Sequence, residues 1–208
     1  MFINRAKSFV YLRVPKTGST SIQHYMIDNF VDESTTHSPI IDWKIKGQGM
    51  HTSVLTGGIN LVHANIQDLI VNNYITEKET FDVYGVVRNP IDKFISGCYY
   101  SLSEGLVTHK VKLPPNELLR LYLDDVVKTG AYLHQHKWLN KCNKIYNYEN
   151  IDSMLKDIHL KFNTEYKGIN YKHRSNLKEV DIVVDKDLIE TIKHIYAKDF
   201  EIYNSVKQ

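Results

Sequence analysis

The sequence predicts an α/β domain with a mostly parallel sheet flanked by helices. Three observations point there. Residues 8–14 and 81–87 are β-branched and aromatic runs that read as buried strands. Each runs straight into a turn with helix-start chemistry, after which apolar residues recur at helical spacing. Further on, helical patterns alternate with a third strand-like run, residues 144–148, as expected where helices connect parallel strands.

The first strand ends at Pro15, and Thr17, Gly18 and Ser19 supply turn and cap chemistry. Ile22, Tyr25, Met26 and Phe30 then mark a helix face. Residues 31–58 are polar without a sustained period and read as irregular. Residues 59–63 predict a short strand, and Asn65 a cap for a helix over 66–72. After the strand at 81–87, Asn89 falls at an N-cap and Pro90 at the first helical position. Ile91, Phe94, Ile95, Cys98, Tyr99 and Leu102 share one face of the helix that follows. Further helices are expected over 115–128, closed near Gly130, and over 133–139, 152–162 and 187–203. With no repeat and no low-complexity linker, residues 1–208 read as a single domain.

Hydrophobic residues make up 42% and charged residues 24%, ordinary for a globular protein. A net charge of +2 is too small an excess to argue for nucleic acid as a partner. Cys98 and Cys142 have no CxxC spacing and no histidine at zinc-ligand spacing, so they read as reduced intracellular thiols. No apolar run approaches the roughly 18 residues of a membrane span, and no secretory leader is visible; the expected location is cytoplasmic.

The two strand-to-helix junctions carry the chemistry. In α/β sheets, ligands collect beyond the carboxyl ends of strands, where helix N-termini present N–H groups and partial positive charge. Lys16, Thr17, Gly18, Ser19, Thr20 and Ser21 put a cation, a glycine and several hydroxyls into the first turn. In the second, Arg88 can fork onto a phosphate, and Ser96 on the following helix can add a hydroxyl. A nucleoside-triphosphate loop needs lysine directly after the last glycine; here Ser19 follows Gly18 and the lysine precedes it.

FVYLRVPKTGSTS at 9–21 resembles the 5′-phosphosulfate loop of the sulfotransferase superfamily, and YGVVRNPIDKFISGCYYS at 84–101 resembles its 3′-phosphate motif. The PKTGST form is similar to the carbohydrate-type (family 2) sulfotransferases. Further likeness lies in Tyr148-Glu149-Asn150 and in residues 195–201. One departure is Lys93, where the family commonly has arginine: the charge is kept and the planar fork is lost.

The resemblance implies a P-loop-like nucleotide fold that binds 3′-phosphoadenosine-5′-phosphosulfate (PAPS) and releases the bisphosphate PAP. It implies in-line transfer to a hydroxyl acceptor, a glycan or small molecule, with no metal and no covalent enzyme intermediate. Lys16 would then stabilise charge on the leaving oxygen, residues 17–21 hold the 5′ end, and Arg88 and Ser96 hold the 3′-phosphate. His63, at the end of the strand-like run and where related enzymes carry a functional histidine, is the expected base, with His51 and Glu33 in reserve. Arg174, in the cluster Lys172-His173-Arg174, reads either as a further contact to the nucleotide or to an anionic acceptor, or as part of a solvated loop. The rival readings are a phosphoryl-transfer enzyme on the same fold and a non-catalytic module that binds nucleotide or glycan.

Overall fold

A computed structural model describes residues 1–38, 61–103, 113–130, 134–169 and 183–206. Its five strands are β1 (Phe2–Asn4), β2 (Phe9–Tyr11), β3 (Thr35–His37), β4 (Asp82–Val87) and β5 (Lys144–Asn147), in the order β3-β1-β2-β4-β5. β2, β4 and β5 run parallel, with Val10 opposite Val83 and Gly85 opposite Ile145. β1 is antiparallel to both β2 and β3. The expected mostly parallel sheet is therefore mixed, with a parallel body and an antiparallel edge. That edge escaped the periodicity because β1 and β3 have three residues each, too few to display an alternation.

The helices are α1 (Ser19–Phe30), α2 (Ile66–Val71), α3 (Pro90–Ser103), α4 (Pro115–Thr129), α5 (His136–Leu139), α6 (Ile151–Phe162), α7 (Lys186–Ile195) and α8 (Ala197–Val206). Alternation along the strands divides the core. Phe9, Tyr11, Tyr84 and Val86 pack against Ile22, Met26 and Ile158 of α1 and α6. Ile3, Val10, Leu12 and Val83 belong to a second cluster with Ile66 and Leu69 of α2. Burial on both faces explains why β2 and β4 read as continuous apolar runs. α3, α4 and α7 share a third cluster through Phe94, Leu119, Tyr122 and Ile192.

Two expected elements differ. The strand predicted at 59–63 is, over Leu61–His63, one 3-10 turn, tied down by His63 rather than by a strand ladder. The helix predicted over 187–203 is two helices broken at Tyr196, whose ring is buried in the α3/α4/α7 cluster. His51, Arg174 and most of the segment 31–58 lie outside the described residues.

Candidate active site

The first turn joins β2 to α1 within a few residues, and two left-handed backbone positions make that possible. Lys16 has φ 63° and Gly18 has φ 71°. At Gly18 the requirement is double: a Cβ there would lie 2.9 Å from Cε2 of Tyr148. Thr17 is buried and its hydroxyl donates to the Val14 carbonyl at 2.8 Å, which braces the loop from inside. Thr20 accepts from Arg13 Nη2 at 3.2 Å, bringing a buried guanidinium against the first turn of the helix. Ser19 is buried and Ser21 half-buried. The N-cap of α1 falls on Gly18, which has no side chain with which to cap the helix start.

The second turn lies beyond β4, the parallel neighbour of β2. Asn89 Oδ1 accepts the Ile91 N–H at 2.9 Å, and Pro90 opens α3, as its local sequence dictates. Arg88 Nη1 donates to the Lys16 carbonyl at 3.3 Å, and its guanidinium lies 4.7 Å from the Tyr148 ring centroid. The two turns thus meet. Lys16 Nζ lies 3.8 Å from the centroid of the Tyr100 ring. Tyr100 stands four residues beyond Ser96 in α3, so the two share a helix face.

His63 occupies the 3-10 turn, held from two sides. Its Nδ1 is 2.8 Å from the Arg13 carbonyl, and its own carbonyl accepts Trp138 Nε1–H at 2.6 Å. Only a protonated Nδ1 satisfies the first bond, which places the imidazole lone pair on Nε2. Burial lowers the pKa from 6.5 to about 4; the bond to Arg13 opposes that, while the charges of Arg13 and Lys16 add to it. His63 is therefore neutral near pH 7. Glu33, the other reserve candidate within the described residues, is exposed in the turn after α1, at the opposite end of that helix from Gly18.

Lys93 is 2% exposed, with Nζ 5.8 Å from the Tyr196 ring centroid. Burial lowers its pKa to about 8, against the attraction of Asp199. Sequence reasoning missed Arg13, Gln135 and Asp199. Gln135 pairs with the Arg88 backbone in both directions, Arg88 N–H to Oε1 at 3.0 Å and Nε2 to Arg88 O at 2.8 Å. Asp199, fully buried, accepts the backbone N–H groups of Gln135 at 2.7 Å and His136 at 2.9 Å, and contacts His136 Nδ1 at 2.8 Å. His134, His136 and Asp199 offer ligand atoms within 4.8 Å of one another, but the carboxylate is committed to these N–H donors as the cap of α5. A cavity of about 560 Å³ lined by Tyr25, Asp28, His159 and Thr164 lies at the C-terminal half of α1, away from both turns.

The fold and its two junctions define an α/β protein with a glycine-led and an arginine-bearing helix start beyond adjacent parallel strands. The Sulfotransferase family, in its family-2 type, matches residues 1–102, the stretch that carries both turns and His63. That match supports sulfotransfer as the general activity. No curated protein and no solved structure matches the chain significantly.

Proposed function

We propose that the protein transfers a sulfuryl group from PAPS to a hydroxyl of a carbohydrate acceptor, on a P-loop-like nucleotide fold. The observation that supports this reading is the meeting of the two turns through Arg88 and the Lys16 carbonyl, which brings side by side the two turns proposed to bind the donor's anionic ends. A donor with a 5′-phosphosulfate and a 3′-phosphate has that charge layout. The carbohydrate class rests on the family-2 likeness of residues 1–102.

In the proposed step the acceptor oxygen forms a bond to sulfur as the bond between sulfur and the bridging phosphate oxygen breaks. Lys16 stabilises the charge that grows on that oxygen, and the N–H groups of the Gly18–Ser19 helix start hold the 5′-phosphate. Arg88 and Ser96 hold the 3′-phosphate, and Thr20 is oriented by Arg13. His63 Nε2 takes the acceptor proton. Its low proton affinity is set partly by Lys16, so anionic groups bound against Lys16 raise it towards the range that a base needs.

The test is a calorimetric titration with PAP, beside 5′-AMP and ATP with Mg²⁺. Binding of PAP in clear preference to both supports the reading. Binding of ATP with Mg²⁺ and not of PAP replaces it with phosphoryl transfer; PAP binding without any sulfotransfer across an acceptor panel leaves a nucleotide-binding module.

A further inference from the structure

We infer that Gln135 and Asp199 are positioning residues for the 3′-phosphate, acting through the backbone of Arg88; this rests on the donor reading above. The side-chain amide of Gln135 is fully buried and pairs with Arg88 as one strand residue pairs with another, accepting from its N–H at 3.0 Å and donating to its C=O at 2.8 Å. Arg88 is the first residue past β4, where the ladder ends, so without Gln135 both of its backbone groups lose these partners. Asp199 in turn fixes Gln135 by accepting its N–H at 2.7 Å, and takes the N–H of His136 at 2.9 Å. α8 therefore holds the start of α5, and α5 holds the arginine of the second turn. The buried ammonium of Lys93 offsets the Asp199 charge and is itself under the influence of Arg88. The consequence is local: the guanidinium of Arg88 departs from a backbone whose orientation is set by two hydrogen bonds from elsewhere in the chain, and small rotations there move its far end most.

The mechanism makes a selective claim. Loss of the Gln135 pairing should weaken the 3′-phosphate contact, not the 5′ end held by the first turn. Gln135→Met keeps the side-chain length and removes both bonds. Gln135→Glu places a carboxylate against the Arg88 carbonyl when ionised, and when neutral restores one donor and one acceptor. Dissociation constants for PAP and 5′-AMP are measured for the full chain and both variants at about pH 8 and about pH 5.5, on either side of the titration of a buried carboxyl. Each PAP-to-AMP ratio is divided by that of the unmodified protein at the same pH, which cancels the titration of the ligand's own phosphate. Gln135→Met is expected to lose about tenfold or more of the preference for PAP, the scale of a charge-assisted contact. Gln135→Glu is expected to lose it at the higher pH and regain it at the lower. Thermal melting reports general destabilisation, which would not change the ratio, and if Gln135→Met does not fold the Glu variant alone decides. Unchanged preference in the folded variants overturns the inference and leaves the donor reading intact. Absence of any PAP preference in the unmodified protein overturns the donor reading itself.

Discussion

Arg88 donates from Nη1 to the backbone carbonyl of Lys16 across 3.3 Å, so the side chain of the second turn closes on the backbone of the first. The same guanidinium lies over Tyr148, the residue that also presses on Gly18. Arg88 thus ties the two turns together, and in the proposed donor site its remaining N–H groups would meet the 3′-phosphate. Arg88→Ala is expected to lower PAP affinity by ~10–100-fold, the range for one or two charge-assisted bonds. The loss for 5′-AMP should be several-fold smaller. Arg88→Lys should recover little, since an ammonium cannot reach carbonyl and phosphate together. Equal losses for both nucleotides in a titration would refute the assignment.

Lys16 combines a left-handed backbone with an ammonium 3.8 Å from the centre of the Tyr100 ring. The ring holds the charge at α3 rather than in open solvent. Lys16→Ala should lower kcat by ~10²-fold or more, the cost of losing a donor aimed at developing charge. PAP affinity should fall much less. The comparison is made by single-turnover transfer beside equilibrium binding, and a loss confined to binding would exclude the leaving-group role.

Gly18→Ala tests the first turn by backbone alone. The substitution strains φ at +71° and drives a methyl into Tyr148 at 2.9 Å. The left-handed conformation by itself costs about 1–2 kcal/mol for a residue with a Cβ. Thermal unfolding should show that loss, and PAP binding should weaken because Tyr148 also underlies Arg88. A variant as stable as the parent would show that the turn does not need glycine.

Both turns were legible in the sequence because they are local. Pro15, Gly18 and Ser19 start α1, and Asn89 and Pro90 start α3, through contacts within a few residues. The capping box of Asn65 and Asp68 at α2 is equally local. What the sequence hid is held by distant partners. The run at 59–63 looked like a strand because short apolar runs do not separate strand from turn; the bonds that decide it reach to Arg13 and Trp138, fifty and seventy-five residues away. Gln135 carries no local signal at all, since its partners are Arg88 and Asp199. The antiparallel edge was lost for the opposite reason: β1 and β3 are simple but too short.

Trp138 lies outside the family match and yet fixes the proposed base, its indole N–H donating to the His63 carbonyl at 2.6 Å. Trp138→Phe keeps a ring and deletes that bond. The expected stability loss is about 1 kcal/mol, the net worth of one hydrogen bond. Transfer should slow several-fold with PAP affinity unchanged, because the turn that carries the imidazole is released on one side. An unaltered kcat would mean that the Trp138 bond is not needed to position His63.

His63 should reveal itself in stability as well as in catalysis. Its folded pKa is about 4, against 6.5 for an ordinary imidazole, chiefly because burial disfavours the charged ring. A depressed histidine pKa means that the unfolded chain binds the proton more tightly. The stabilising effect is then complete above about pH 6.5 and is lost as pH falls towards 4. At ~1.4 kcal/mol per tenfold change in proton affinity, the gap corresponds to about 3 kcal/mol. His63→Gln keeps a donor and removes the titration, so its stability should fall less steeply than the parent's over that acid window. The same variant should abolish transfer and leave PAP binding nearly intact. Denaturant titrations at several pH values and a transfer assay check the two arms separately. Parallel stability curves would show that His63 is not buried as a neutral ring, and full activity would place the base on another residue.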